Sequence, residues 1–304
     1  MAISRHQLVK ELEPGLNALF GLEYKRYDNQ HAEIYTSESS DRAFEEEVML
    51  SGFGNASVKS EGSGVAFDNA QESYSARYTH ETVALAFAIT EEAIEDNLYD
   101  KISSRYTKAL ARSMSNTKQV KAAAPLNNGL PSVDGFDSGD GVSLFNTAHT
   151  TVSGTNVKNT LSTQADLNET SLEQAMIDIS GMTDERGLRI AAKAVKMIVP
   201  SANQFQAERL MKSQGRTGTA DNDINALGSM GMIPQGYRVN NFLTDTDSFY
   251  IITDVPNGMK MFTRAPLTTA MEGDFDTGNV RYKARERYSF GVSDFRGIFG
   301  VEGA

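Results

Sequence analysis

The chain has 304 residues, enough for two domains or one elaborated one and for a core that needs no disulfide or metal staples. It carries 29 Lys and Arg against 40 Asp and Glu, a formal net charge of −11, which excludes a strongly basic, autonomous nucleic-acid binder but leaves room for a local basic face. The absence of cysteine removes disulfide frameworks, thiolate nucleophiles, Cys-ligated zinc and iron–sulfur centres, and the four histidines, His6, His31, His80 and His149, never fall at helical ligand spacing.

The N-terminal segment MAISRHQLVKELEPGLNALF has no apolar h-region and no small-residue cleavage site, so it does not read as a secretory signal. No stretch approaches the ~18 apolar residues of a membrane span. The expectation is a soluble protein made in a cytosol, with no membrane partner. Only Pro14 precedes residue 125 among the seven prolines, which leaves the first 124 residues free to form long regular elements. There is no internal repeat.

Leu8, Leu12, Leu16 and Leu19/Phe20 make a short amphipathic pattern that Pro14-Gly15 interrupts. Residues 28–42 are polar and unpatterned, and read as an extended arm. A long hairpin follows: AFEEEVMLSGF runs to a tip bearing Gly52, Gly54, Gly62 and Gly64, and QESYSARYTHETVALAFAI returns. On the return, Tyr74, Ala76, Tyr78 and His80 alternate with Ser73, Ser75, Arg77 and Thr79 at the strand period. A two-stranded hairpin of this length is marginal alone in water, so it needs a neighbour to lie on.

Thr90, followed by Glu91-Glu92-Ala93-Ile94-Glu95, reads as an N-cap with acids in the first turn. The helix it opens runs to about Ala123, with Leu98, Ile102, Tyr106, Ala109/Leu110 and Ser113/Met114 as its apolar stripe and Pro125 and Asn128-Gly129 as its stop. Lys101, Arg105, Lys108 and Arg112 share another face, and residues 101–125 hold six cations and no anion. Such a face is either solvated or turned toward phosphates without sequence selectivity.

After a loop-rich zone, Thr170-x-x-Glu173 reads as a capping box opening a second helix with Leu172, Ala175/Met176 and Ile179 inward. Residues 188–199 read as a strand into Pro200, SANQFQAERLMKS as a short helix, 214–231 as a loop, and TDSFYIITD as a buried strand. In the tail strand Arg281, Lys283, Arg285 and Arg287 take one face, opposite Tyr282, Ala284, Glu286 and Tyr288. The cationic face is either solvated or paired between subunits with acids such as Glu45, Glu46 and Glu47; exposed pairs contribute little unless they form a network. The class is α+β.

Sites for chemistry are scarce. His149 lies in FNTAHTT, but no G-x-S-x-G turn presents a nucleophile, so a locally hydrogen-bonded loop histidine is the preferred reading over a hydrolase. Asp134, Asp137 and Asp140 are spaced by three rather than two, and the run Asp221, Asp223, Asn225 lacks the glycine and the glutamate of a calcium loop. Neither nucleotide-binding glycine motif occurs. The expected sets of catalytic, cofactor-binding and metal residues are therefore empty.

The order of these pieces resembles the major capsid proteins of tailed bacteriophages. The phrases FAITEEAIEDNLYD, SLFNTAHTT with GTNVKNTLSTQADLNETSLEQAM, VKMIVPSANQFQAERLM and RERYSFGVSDFRGIFG are similar to the Mu-like major head subunit family, from about residue 30 onward. The resemblance implies the tailed-phage major-capsid (Johnson) fold: an N-terminal arm over 1–42, an E-loop hairpin over 43–80, a P-domain with a long spine helix over 81–130, an A-domain over 131–266, P-domain strands over 267–292 and a return to the A-domain over 293–304. It further implies a non-enzymatic shell protein that assembles into hexamers and pentamers of an icosahedral head around double-stranded DNA. Its place would be the virion, after assembly in the host bacterial cytoplasm. In that setting Lys101, Arg105, Lys108 and Arg112 are candidates to face DNA. Gly52, Gly54, Lys59, Gly62 and Gly64 of the E-loop, with Glu45–Glu47 and the 281–287 cations, are candidates for contacts between subunits.

The partners implied are further copies of the chain, a portal, a decoration protein and packaged DNA bound nonspecifically. No long charged helical segment of the kind some relatives carry as a fused scaffold precedes the arm, so the expectation is either a separate scaffolding protein or a different assembly aid. Lys59 alone does not establish a covalent cross-link. The alternatives are an encapsulin-like nanocompartment shell and, from a different class, a hydrolase using His149.

Overall fold

The computed structural model describes residues 5–90, 92, 99–133, 135–215, 223–274 and 278–304, with the side chains of 5–12, 99–102 excepted. Its first element, helix α1 (Arg5–Arg26), runs through Pro14 instead of breaking there. The proline removes one backbone hydrogen bond, but Leu16 and Phe20 are buried against Leu110, Met114 and Tyr282. The Asn17 side chain also accepts from Thr269 Oγ1 at 2.7 Å and from the Tyr282 hydroxyl at 2.9 Å, so tertiary contacts pin the helix just past the proline.

The polar segment that follows is not a plain extended arm. It makes a 3-10 turn, Gln30–Glu33, that buries His31, then a short strand β1 (Thr36–Ser39) that runs parallel to a strand far along the chain, Thr36 opposite Lys260 and Ser39 opposite Thr263. Strands β2 (Phe44–Leu50) and β3 (Glu72–Thr79) form the hairpin foreseen from the alternation, with Ala76 and Tyr78 buried. The return does not continue as one strand. It breaks at His80, and β4 (Glu81–Ile89) joins a different sheet. His80 is buried there between Ser289 Oγ and Ser40 Oγ, each 2.9 Å from a ring nitrogen.

Helix α2 (Tyr99–Asn128) also runs through its proline, Pro125. Only the last turn follows that residue, and Leu126 is completely buried, so one lost hydrogen bond does not stop the helix. The stop is Asn128-Gly129, where a Cβ on Gly129 would lie 2.6 Å from the Pro125 carbonyl oxygen and 2.7 Å from Leu144. The inward stripe is offset from the expected one: Ser103, Thr107, Leu110, Ala111, Met114 and Ser115 are buried, whereas Tyr106, Ala109 and Ser113 are exposed. The acidic helix start, apart from exposed Glu92, lies outside the described residues.

Two strand pairs and short helices follow. They are β5 (His149–Thr150) with β6 (Asn156–Val157), helix α3 (Glu169–Ser180), strand β7 (Ala194–Val199), helices α4 (Gln204–Lys212) and α5 (Ala226–Met230), and strand β8 (Tyr237–Val239). The cap of α3 is Asn168 rather than Thr170: its Oδ1 accepts from Ser171 N at 2.8 Å and Ser171 Oγ accepts from Asn168 N at 3.0 Å, a capping box two residues upstream of the expected one. Strand β7 starts six residues later than expected because Ala191 sits at φ 50°, which no strand accommodates. Helix α5, capped by Asn225, lies inside the segment expected to be loop.

Strands β9 (Phe249–Thr253), β10 (Met259–Gly273), β11 (Val280–Val292) and β12 (Ile298–Val301) complete two four-stranded sheets, β1-β10-β11-β4 and β12-β9-β7-β8. Helices α1 and α2 cover one face of the first sheet, around Tyr282 and Ala284. A larger core joins α3, α4 and the second sheet to the end of α2. The architecture is α+β.

Candidate assembly surfaces

His149 can be assigned first, because its surroundings close the route to catalysis. The ring is completely buried, stacked at 3.8 Å on Phe295. Its Nδ1 meets Asp140 Oδ2 at 2.6 Å and its Nε2 meets Asn159 Oδ1 at 3.1 Å. The Asn159 amide is oriented by donation to the carbonyls of Leu144 and Phe295, and its oxygen also accepts from Asn146 N. Both ring nitrogens therefore face acceptors, and neither addresses a serine. Burial raises the Asp140 carboxyl, but the bonds from His149 and Ser138 outweigh it and leave the group below its ordinary value. This is a structural hub, as the local reading expected. Asp140 is thus committed, Asp134 and Asp221 lie outside the described residues, and no cluster able to hold a metal occurs among the described ones.

The hairpin has the opposite character. Between β2 and β3, residues 51–71 form neither helix nor strand. Val58 is 99% and Phe67 98% exposed, and Leu50, Phe53 and Val65 are also open to solvent. Leaving such side chains in water forgoes roughly 1.5–3 kcal/mol each relative to full burial, and nothing in their own chain covers them among the described residues. Gly52 and Gly62 sit at φ 63° and 77°, where a side chain would strain the turn. Lys59 and Gly64 are exposed on the same tip.

A contact that sequence reasoning did not find ties the tip to the body: Arg186 Nη2 lies 2.8 and 3.1 Å from the two Asp68 oxygens, and Asp68 accepts from Gly54 N at 2.7 Å. Nothing in local sequence signals a pair 118 residues apart.

The acids Glu45–Glu47 already have partners in their own chain. Glu45 accepts from Ser40 Oγ at 2.6 Å, Glu46 lies 3.7 Å from Arg77, and Glu47 pairs with Lys260. Burial lowers the Lys260 ammonium, but Glu47 and Glu38 more than compensate and hold it above its ordinary value. These carboxylates clamp the base of the hairpin.

The cations separate into two groups. On α2, Lys118 and Lys121 pair with Glu286 and Glu81. Arg105, Lys108 and Arg112 are exposed with no ion pair among the described residues, and the Lys101 side chain is not described. On β11, Arg281, Lys283 and Arg285 are exposed and Arg287 half-buried, while Tyr282, Ala284, Glu286 and Tyr288 are buried, as the alternation requires. Arg281 pairs with Asp274. Since α1 and α2 cover the Tyr282 face, the two basic surfaces look in opposite directions.

The comparisons with known proteins bear on this arrangement. Residues 73–301 match the family profile described as phage capsid protein. The chain belongs to that family. No curated protein sequence matches it. Among solved structures the capsid protein is similar to the capsid of Myoviridae phage XM1, with a TM-score of 0.55 at 13% identity over 89% of each chain. It is similar to the capsid of an empty GTA particle, with a TM-score of 0.52 at 16% identity, covering 90% of this chain and 89% of that one. It is also similar to a virus-like particle from Pyrococcus furiosus, with a TM-score of 0.51 at 10% identity, covering 94% and 98%. At these identities the likenesses show the fold, which is the tailed-phage major-capsid fold. The capsid protein is a structural shell component that assembles with copies of itself, and its place is the virion.

Proposed function

We propose that this capsid protein forms the icosahedral head of a tailed phage, as hexamers and pentamers around double-stranded DNA, and that it belongs to the Mu-like head subunits. The observation that carries the reading is the hairpin: an apolar, glycine-turned tip, with Phe67 98% exposed, that its own chain leaves uncovered. In this assignment residues 1–42 are the N-arm, 43–80 the E-loop, 81–130 and 267–292 the P-domain, with α2 as spine, and 131–266 and 293–304 the A-domain. The chain acts by assembly, without catalysis or cofactor, in the host bacterial cytoplasm. A separate scaffolding protein, a portal and a decoration protein are its further partners.

Only one of two opposed basic surfaces can line the interior. We assign the α2 face, Lys101, Arg105, Lys108 and Arg112, to the packaged DNA, because Arg105, Lys108 and Arg112 are all exposed without an ion pair among the described residues, whereas on β11 Arg281 is held by Asp274 and Arg287 is half-buried. Arg281, Lys283, Arg285 and Arg287 then belong to contacts between subunits, along with the E-loop positions Gly52, Gly54, Lys59, Gly62 and Gly64. The acids Glu45–Glu47 act there through the hairpin base they brace. An acidic total charge limits nonspecific capture of nucleic acid before packaging.

The test is electron microscopy and nuclease protection of particles carrying glutamine at the four α2 positions. Closed shells should form normally, and protected DNA should be lost at lower salt than in unmodified particles. Retention unchanged across salt concentrations overturns the DNA assignment. An enclosed enzyme in place of DNA overturns the phage-head reading in favour of a nanocompartment.

A further inference from the structure

Along β10, Lys260, Phe262 and Arg264 fall on one face of the sheet at the strand period. The root of the hairpin covers the first two: Lys260 pairs with Glu47, and Phe262 packs edge-on to Tyr78 with ring centroids 4.8 Å apart. Arg264 comes next, and there the pairing with β11 slips. Thr263 lies opposite Tyr288 but Ala265 lies opposite Arg287, so one residue of β10 is extra. In such a bulge two residues oppose one and a side chain is re-aimed. Arg264 and Ala265 thus share the side of the sheet that carries Arg287, and the small Ala265 leaves space around the guanidiniums. Both arginines are half-buried, neither has an ion pair among the described residues, and the Nε of each is buried with no hydrogen-bond partner. Buried donors of this kind are rarely left without an acceptor.

The groups around the pair are already committed. Ser40 Oγ donates to Glu45 Oε1 at 2.6 Å and accepts from Arg42 N at 3.2 Å. His80 Nε2, 2.9 Å from the same hydroxyl, therefore carries the ring hydrogen, and Nδ1 accepts from Ser289 Oγ. The nearest carboxylate is turned to a serine, and the imidazole is held neutral. Burial first, then Arg287, lower the His80 imidazole; Glu45 opposes them, and Arg264 adds to the lowering, so both cations face this ring. We propose that Arg264 and Arg287 form a binding site for a small oxyanion, of the phosphate or carboxylate class, at the root of the hairpin. Each guanidinium presents a planar fork of donors that matches two oxygens of such an anion. A bound anion would satisfy the buried Nε groups, tie β10 to β11 across the bulge and cancel positive charge beside His80. The site goes beyond the shell reading, which uses Arg287 only as a contact between subunits, and it belongs to the unassembled chain.

The test titrates the unassembled subunit with inorganic phosphate against chloride at matched ionic strength. An anion that binds only the folded chain raises the urea midpoint along a saturating curve, whereas phosphate excluded from the surface raises it without saturation. The unmodified chain should saturate. Arg264→Gln and Arg287→Gln should each weaken binding by about tenfold or more, the loss of one charge-assisted donor pair, while Lys193→Gln, on an exposed residue elsewhere, should not. The second readout is the imidazole resonance of His80, identified by its loss in His80→Gln. It should take up its proton at a higher pH in phosphate than in chloride, a response that needs no variant to fold. Acetate that displaces phosphate assigns the site to oxyanions at large, and acetate that does not assigns it to the phosphate class. Equal midpoints for the unmodified chain and both arginine variants, or a His80 titration that phosphate does not move, overturn the inference. None of these readouts requires particles, so failure of the site leaves the shell reading intact, and failure of the shell reading leaves the site standing.

Discussion

The region around Arg296 and the region from 51 to 71 are built on opposite principles. Arg296 is 2% exposed, and its guanidinium reaches Glu185 Oε1 at 2.7 Å, Asp294 Oδ1 at 3.2 Å and the Thr183 carbonyl at 2.8 Å. The other Glu185 oxygen accepts from Ser73 Oγ at 3.0 Å and Val152 N at 3.1 Å. One buried network thereby joins the end of the chain, two loops and the first residues of β3. Among the described residues the tip has little backbone pairing and one exposed ion pair, Arg186 with Asp68, holding it to the body. The lesson is a division of labour. The network fixes where the hairpin leaves the body, while the tip is left largely exposed by its own chain.

The largest expected effect separates assembly from stability altogether. Deleting residues 53–64 removes side chains that touch little of their own subunit, so the denaturation midpoint should shift by no more than about 0.5 kcal/mol equivalent. Closed shells should be absent by electron microscopy. Shells of normal size from the deleted chain would abolish the distinction between the two regions. Arg296→Met probes the other side. It strands Glu185 and Asp294 in the interior, a situation that costs roughly 3–5 kcal/mol, visible as a lower urea midpoint. Burial already raises the Asp294 carboxyl, against the pull of Arg296, so this group takes up a proton more readily once the arginine is gone. A loss below about 1 kcal/mol would mean the network is no more than a surface cluster.

The same contrast explains what the sequence made legible. Period-two alternation placed Tyr78 and Ala76 inward and Arg281, Lys283 and Arg285 outward, because each strand buries one face and side-chain direction follows from spacing alone. The glycine-rich tip and the long basic helix were legible for similar reasons. Pro14 and Pro125 misled because a proline's cost of ~3 kcal/mol is local, whereas the burial of Phe20 and Leu126 that offsets it comes from residues far along the chain. The breaks at His80 and Ala191 were hidden in the same way: they are made by Ser40 and Ser289 in one case and by a single φ of 50° in the other. Arg296 escaped notice as a site because nothing in RGIFG distinguishes a buried arginine from an exposed one.

The smallest effect concerns two buried histidines with contrasting hydrogen bonds. Both His149 nitrogens face acceptors, whereas His31 accepts at Nδ1 from Gln119 Nε2 at 2.9 Å. Gln119 is held in that orientation by donating to the Asp28 carbonyl and accepting from His31 N. His31 is therefore built to be neutral, packed edge-on against Phe290. Burial first, then the nearby Lys118, bring it down from 6.5 to about 4, against the weaker opposing pull of the Gln119 bond. The sign follows from proton counting. Between pH 6.5 and about 4 the unfolded chain binds a proton at this position that the folded chain refuses, so stability is full above 6.5 and falls as pH drops through that window. The whole fall is on the order of 3 kcal/mol. His31→Gln cannot titrate, so its urea midpoint should decline less than that of the unmodified chain between pH 7 and pH 4. Parallel declines would show that the Gln119 bond rearranges on protonation, and that the sealed body yields at this point as readily as the hairpin does.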